Sequence, residues 1–194
     1  MARSNPLFLV VFWLCVALAS GPVCADAVDR PTPPGQAASG PGGLEYVFNG
    51  IRVSAYGEGA EGYWIIEPNQ RTDKPLPVVL FVHGLGLTHY SAYNAWITHL
   101  VRKGNVVIYP RYHIGGIVDP TTFTDSAATA CAKAIAQCDG KRHAQIDTKQ
   151  LTMIGHSLGG TIIANFAAKP EHYNLPAPKG LMLLQPGDSK SDKG

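Results

Sequence analysis

Residues 151–166 read Leu-Thr-Met-Ile-Gly-His-Ser-Leu-Gly-Gly-Thr-Ile-Ile-Ala-Asn-Phe, and this stretch decides the fold. The apolar residues that open it predict a buried strand, and the pattern of 158–168 predicts a helix. Between them there is room only for a tight turn at Ser157, which forces that serine into strained backbone angles. In so tight a turn, side chains two residues before and two residues after the serine would collide with the neighbouring backbone. Glycine is therefore expected at these positions, and the sequence has Gly155 and Gly159 there.

On both sides of this stretch, apolar patterning alternates between strands and helices. Strands are predicted at 44–48, 51–56, 62–66, 77–82, 106–109, 151–154 and 181–184, and helices at 92–101, 122–137 and 158–168. The first strands read as an antiparallel group, whereas the later ones are continuous apolar runs, typical of strands covered on both faces. Strands that alternate with helices predict a mostly parallel sheet flanked by helices. The predicted fold class is α/β.

The first 25 residues predict an export signal. Arg3 gives a positive start, residues 7–19 are 13 consecutive apolar residues, and Val23-Cys24-Ala25 places small residues before a cleavage site. Thirteen helical residues reach about 20 Å, short of the roughly 30 Å hydrocarbon core of a bilayer. We therefore expect a signal peptide cleaved after Ala25, a secreted or periplasmic protein, and no stable membrane anchor after cleavage.

Residues 26–43 predict a disordered spacer, because eight of the fifteen residues 29–43 are Pro or Gly. The folded domain is predicted to span 44–194. The chain carries 16 Lys and Arg against 14 Asp and Glu, and 45% of its residues are apolar. This near-balance of charge argues against a nucleic-acid partner, and the apolar share excludes a disordered protein.

Two cysteines, Cys131 and Cys138, remain after signal cleavage. Seven residues of continuous helix would hold their Cα atoms about 10.5 Å apart, beyond the roughly 7 Å limit for a disulfide. A bridge requires the helix to break before Cys138, so both a disulfide and two buried thiols stay open.

A second loop follows the strand predicted at 77–82, at the edge where parallel sheets open ligand crevices. It reads His83-Gly84-Leu85-Gly86. Gly84 allows the loop to turn back so that the Leu85 N–H faces Ser157, while Leu158 offers a second N–H at the start of its helix. Two such donors would form an oxyanion hole, each worth roughly 10²–10³ in rate.

Residues 44–188 resemble the α/β-hydrolase superfamily, in particular serine esterases and lipases. The resemblance rests on the antiparallel entry strands, on His83-Gly84, and on Gly155-His156-Ser157-Leu158-Gly159, which resembles the family's nucleophile elbow. It implies that Ser157 is the nucleophile, that the N–H groups of Leu85 and Leu158 are the oxyanion donors, and that Gly155 and Gly159 are elbow glycines. In the family an acid and then a histidine base follow the serine along the chain.

After Ser157 the sequence departs from that family pattern. Only 37 residues follow it, and the last histidine is His172. Asp188 follows the final predicted strand and is the candidate acid. We expect the base and the C-terminal strands to be missing, as in the N-terminal part of a longer hydrolase. None of the seven histidines is assigned as the base; His83 is expected to bond within its own loop, and His113 is a candidate to line the substrate site.

These features favour an exported serine hydrolase that cleaves carboxylic esters through an acyl-enzyme. The substrate would be a small-molecule, lipid or polyester acyl compound, and acyl transfer to an alcohol stays open. Loss of one triad member removes on the order of 10⁶ in turnover, so we expect these 194 residues alone to be nearly inactive. The alternative is a non-catalytic α/β-hydrolase-like binding module that lacks the triad histidine. Neither metal-ligand spacing nor a dinucleotide-binding glycine motif is present, so no metal and no cofactor are predicted.

Overall fold

The structure, a computed structural model, describes residues 32–115, 119–139 and 141–187. The predicted signal peptide and Asp188 lie outside the described residues. The described residues from Ala37 onward belong to one compact unit. Its strands and α-helices follow in the order β1 (Ile51–Tyr56), β2 (Tyr63–Pro68), β3 (Leu76–Val82), α1 (Asn94–Arg102), β4 (Val106–Pro110), α2 (Phe123–Gln137), β5 (Ile146–His156), α3 (Leu158–Ala168) and β6 (Gly180–Leu184).

The strands form one mixed sheet in the order β1-β2-β4-β3-β5-β6. β2 pairs antiparallel with β1 and β4, whereas the β4–β3, β3–β5 and β5–β6 pairs are parallel. The predicted α/β class, with antiparallel entry strands and a mostly parallel sheet, is confirmed. Because β3, β4 and β5 run in one direction, the loops that follow them meet at one edge of the sheet.

Helices cover both faces of this sheet. Val78, Leu80 and Val82 of β3 face the side on which α2 and α3 pack. Val79 and Phe81 face the other side, where α1 packs through two fully buried side chains, Ile97 and Val101. The central strands are therefore apolar on both faces, and this explains why their sequences are unbroken apolar runs.

One predicted strand is wrong: residues 44–48 form no strand. The backbone N–H groups of Val47 and Phe48 both donate to the carbonyl oxygen of Arg102 at the end of α1, at 3.0 and 3.1 Å. Val47 is 71% exposed, so its side chain has no sheet face to cover. The apolar run was real, but its backbone bonds cap a helix instead of joining the sheet.

β5 begins earlier than the strand predicted at 151–154, because it has two paired parts. Pro77 lies opposite Asp147, yet the next residue of β3, Val78, lies opposite Leu151. The Asp147 carboxylate accepts the Lys149 N–H at 3.0 Å and the Gln150 side-chain amide at 2.8 Å. These bonds close a small loop whose polar residues concealed the first part of the strand from apolar patterning.

The compact unit starts inside the stretch that the sequence predicts as spacer. The Lys103 ammonium group donates to the carbonyl oxygens of Gly40 and Gly43, at 3.0 and 2.7 Å, and to that of Glu45. A charged group with several carbonyl partners holds this segment against the end of α1.

Cys131 and Cys138 are separate buried thiols. α2 continues to Gln137, so Cys138 lies just beyond the helix. Burial raises the pKa of both thiols, that of Cys138 to about 12. Both are therefore protonated and unreactive at neutral pH.

Within the described ranges, no helix has the length and apolar character that crossing a membrane would require.

Candidate active site

Ser157 lies in the tight turn between β5 and α3, with φ 52° and ψ −124°. Its N–H donates to the Leu184 carbonyl of β6 at 2.9 Å, and its own carbonyl accepts the N–H groups of Gly160 and Gly187, at 2.8 and 3.0 Å. These bonds hold a serine in a left-handed conformation that costs of order 1–3 kcal/mol. The strained turn predicted from 151–166 is therefore present.

Gly155 and Gly159 stand where this turn leaves no space for a side chain. A Cβ atom on Gly155 would lie 2.4 Å from the Gly159 carbonyl oxygen, and one on Gly159 would lie 2.2 Å from the Val82 carbonyl oxygen. Both contacts are with backbone, which cannot move aside easily. The turn thus fits directly against the end of β3.

The Ser157 side chain is half-buried and its hydroxyl forms no hydrogen bond with any described residue. All seven histidines of the sequence lie within the described residues, and each one with a ring hydrogen bond makes it elsewhere. No described residue therefore acts as a general base hydrogen-bonded to this hydroxyl.

The loop after β3 packs against the Ser157 turn. A Cβ atom on Gly84 would lie 3.0 Å from Nδ1 of His156 and 3.4 Å from Cβ of Ser157. In the described part of the chain, neither the Leu85 N–H nor the Leu158 N–H has a hydrogen-bond acceptor. The two amides predicted as oxyanion donors are thus both free of other hydrogen bonds within the described residues.

His83 is fully buried beneath this loop. Its Nδ1 lies 2.7 Å from the Gly84 carbonyl oxygen, a contact within its own loop as expected, and its Nε2 lies 2.9 Å from the Arg111 carbonyl oxygen. A neutral ring carries one N–H and donates to only one of these two carbonyls. Desolvation lowers the pKa of His83 to about 4, against the opposing effect of both carbonyls. The imidazole is neutral at pH 7, and its ring stacks on Tyr112 at 4.2 Å between centroids.

His113, the candidate to line the substrate site, is only 4% exposed. Its Nε2 accepts the Gly86 N–H at 3.1 Å. A ring nitrogen can accept only when it carries no hydrogen, so the ring hydrogen of His113 is on Nδ1. His113 thus holds the loop after β3 in place through the Gly86 N–H.

Tyr93 lies within the helix predicted at 92–101, and sequence reasoning missed its role in the site. The Tyr93 hydroxyl accepts the Gly84 N–H at 3.1 Å and lies 2.7 Å from Nδ1 of His156. The loop after β3 and the Ser157 turn are therefore joined through one hydroxyl group. The available sequence signal was a hydroxyl-bearing aromatic residue close to a glycine loop, which is too common to single out.

The profile of a family described as alpha/beta hydrolase fold matches residues 79–194. The chain belongs to this alpha/beta hydrolase family. No curated protein matches the chain significantly.

Solved structures similar to this hydrolase-family chain include several esterases. A thermostable esterase from Pseudomonas putida is 25% identical with a TM-score of 0.58, over 75% of this chain and 46% of that one. An esterase from Rhizomucor miehei is 19% identical with a TM-score of 0.60, over 75% and 47%. Carboxyl esterase 2 from Tuber melanosporum is 18% identical with a TM-score of 0.55, over 91% and 56%. The chain thus spans about half the length of the solved structures it matches.

Proposed function

We propose that this chain carries the nucleophile and the oxyanion hole of a serine esterase. The supporting observation is Ser157 itself: a strained, half-buried serine with an unbonded hydroxyl, in a turn against which the loop after β3 packs. The backbone amides of Leu85 in that loop and of Leu158 next to the serine have no acceptor among the described residues. Strain of this kind persists only where the surrounding structure enforces it, and it is concentrated at functional sites. The family membership and the esterase structures that the fold resembles support the same reaction class.

In the proposed reaction the Ser157 oxygen attacks the carbonyl carbon of a carboxylic ester. The carbonyl oxygen becomes an oxyanion that accepts the Leu85 and Leu158 N–H groups. Collapse of this intermediate expels the alcohol, whose oxygen takes the proton that Ser157 gave to the general base, and leaves an acyl group on Ser157. Water then attacks the carbonyl carbon of the acyl-enzyme. This step releases the carboxylic acid and restores the Ser157 hydroxyl.

The general base of this reaction is proposed to come from outside these 194 residues, because each histidine of the chain is described and none bonds Ser157. Asp188 stays the predicted acid; the preceding residue, Gly187, donates to the Ser157 carbonyl. Without a base the serine keeps its proton, so we propose that the chain alone turns over esters slowly.

We propose small-molecule esters as substrates and an extracytoplasmic location. The esterase neighbours support the first point. The 13-residue apolar run after Arg3 and the small residues before Ala25 support export by a cleaved signal peptide.

The experiment is to treat the purified chain with a fluorophosphonate probe, with and without added imidazole, and to locate the label by peptide mass spectrometry. Imidazole in solution can take the serine proton in place of a missing histidine. We expect slow labelling at Ser157 that imidazole accelerates, and no label in Ser157→Ala. Ser91, which bonds His89, serves as an internal control that should stay unlabelled.

The competing function is a non-catalytic binding module with the hydrolase fold. If the folded chain is not labelled at Ser157 even with imidazole, the esterase proposal fails and the binding module is favoured.

A further inference from the structure

Three consecutive backbone amides in the loop after β3, those of residues 84–86, differ in their hydrogen bonding. The Gly84 N–H donates to the Tyr93 hydroxyl at 3.1 Å, and the Gly86 N–H donates to Nε2 of His113 at 3.1 Å. The Leu85 N–H between them has no acceptor in the described part of the chain. Both flanking bonds go to side chains from other segments, so the loop is held from two sides.

Tyr93 reaches the loop because α1 holds it there. It occupies the N-cap position of α1, and its ring packs on Phe81 of β3 at 4.8 Å between centroids. Its oxygen accepts the Gly84 N–H at 3.1 Å and also shares a hydrogen bond with Nδ1 of His156, at 2.7 Å.

His156 directly precedes Ser157, so the Tyr93 hydroxyl spans the two halves of the proposed site. One side of the bridge is the loop that supplies an oxyanion donor, and the other is the turn that carries the nucleophile. Movement of the loop relative to the serine would break at least one of the two hydrogen bonds of this hydroxyl.

His113 anchors the other end of the same loop. It follows β4, is nearly fully buried, and packs on Phe123 of α2 at 5.3 Å between ring centroids. A buried ring that accepts a backbone N–H leaves that peptide little freedom to rotate. Rotation of the 84–87 backbone would cost both side-chain bonds, each worth about 0.5–1.5 kcal/mol.

We propose that Tyr93 and His113 are positioning residues that together select the Leu85 N–H as the oxyanion donor of this loop. Tyr93 and His113 accept the N–H groups of Gly84 and Gly86, so only the Leu85 N–H of the three is left to bind an oxyanion. The two bonds also fix the orientation of the Leu85 N–H relative to Ser157. This inference rests on the proposed esterase function, because an oxyanion must form for the donor to act. Burial raises the pKa of the Tyr93 hydroxyl, so the hydroxyl keeps its hydrogen at neutral and mildly alkaline pH.

The geometric half of the proposal is tested by amide hydrogen exchange measured by NMR. In the wild-type chain we expect Gly84 and Gly86 to be protected and Leu85 to exchange rapidly. Tyr93→Phe keeps the ring on Phe81 and should expose Gly84, and His113→Leu should expose Gly86. His113→Gln, whose amide oxygen can accept the same N–H, should restore protection of Gly86.

The positioning half is tested with the fluorophosphonate probe in the presence of imidazole, by separating the maximal inactivation rate from the probe's half-saturating concentration. A misplaced donor affects the tetrahedral state and leaves initial binding unchanged. We expect Tyr93→Phe and His113→Leu to lower the maximal rate by about ten- to a hundredfold with unchanged half-saturation. Tyr90→Phe is the matched control, since the Tyr90 hydroxyl bonds no described residue.

The outcomes separate this proposal from the one on which it rests. Unchanged exchange at Gly84 and Gly86 in the variants overturns the anchoring. Altered exchange with an unchanged maximal rate overturns the positioning role, as does an equal loss of rate in Tyr90→Phe. If the exchange changes as expected but the wild-type chain is never labelled, the esterase proposal fails. Tyr93 and His113 would then hold the loop in place without a role in catalysis.

Discussion

At the scale of single residues, Ser157 has an unfavourable backbone conformation and a hydroxyl without a partner. Its φ of 52° and ψ of −124° suit glycine far better than any residue with a Cβ atom. Its hydroxyl contributes no hydrogen bond to the described part of the fold. Neither property helps the chain to fold.

Replacement of Ser157 by glycine should therefore stabilise the protein relative to replacement by alanine. Both variants lose the hydroxyl, but only glycine relieves the strain, which is of order 1–3 kcal/mol. Urea denaturation should give a free energy of unfolding about 1 kcal/mol higher for Ser157→Gly than for Ser157→Ala. Equal stability would show that the turn is not strained in solution.

His83 gives the protein a pH-dependent stability. Its pKa is about 4 in the folded state because of burial, against about 6.5 when unfolded. The unfolded chain therefore binds more protons between these values, so the stabilisation is complete above pH 6.5 and is lost as the pH falls towards 4. The measurement is the denaturation midpoint from pH 4 to 7.5.

In His83→Asn the slope of stability between pH 4 and 6.5 should become smaller. His172→Asn, in the short turn after α3, is the control and should leave the slope unchanged. The interpretation fails if both variants have the wild-type slope.

At the scale of elements, a buried glutamate links β1, β2 and the segment that leads into β5. Glu67 of β2 is 1% exposed and lies opposite Arg52 of β1, whose guanidinium is 2.8 Å from its carboxylate. The same carboxylate meets Nδ1 of His143 at 2.5 Å and the Ala144 N–H at 2.7 Å. A buried carboxylate with this many partners joins three segments at the end of the sheet away from Ser157.

Removal of the Glu67 charge should destabilise the protein without changing the probe labelling of Ser157. We expect Glu67→Gln to lower the free energy of unfolding by about 1–3 kcal/mol, since His143 and Arg52 lose a charged acceptor. Glu61→Gln, which breaks the exposed pair with Lys133, should cost less than about 1 kcal/mol. Chemical denaturation measures both, and equal effects would contradict the buried link.

At the scale of the whole molecule, the described sheet ends in β6, which pairs only with β5. Leu181, Met182 and Leu183 are 43%, 47% and 42% exposed. An apolar strand with one open backbone edge offers a template for pairing with another chain. The strand predicted at 181–184 is confirmed as β6, and it is an edge strand of the described sheet.

We therefore expect the 194-residue chain to self-associate through β6. Met182→Lys places a charge in the strand and should lower light scattering at increasing protein concentration, with little change in the denaturation midpoint. Val47→Lys adds the same charge at an apolar residue that is 71% exposed and outside any strand, and should have no such effect. Equal reduction by both variants would attribute the association to general surface hydrophobicity.

The sequence by itself determined the α/β class, the strand-to-helix turn at Ser157, and the need for Gly155 and Gly159. These features depend on apolar periodicity and steric exclusion within a few residues, so short stretches of sequence are enough to predict them. Local reading was wrong at 44–48, where an apolar run makes its backbone bonds to the Arg102 carbonyl.

Only the tertiary structure decided how the site is held. Tyr93 and His156 are 63 residues apart in the chain, and Gly86 and His113 are 27 apart. Their bonds exist because the sheet order places the ends of β3, β4 and β5 side by side, with α1 packed on one face. A hydrogen bond between distant residues depends on ångström-scale placement of whole elements, and no local pattern encodes that placement.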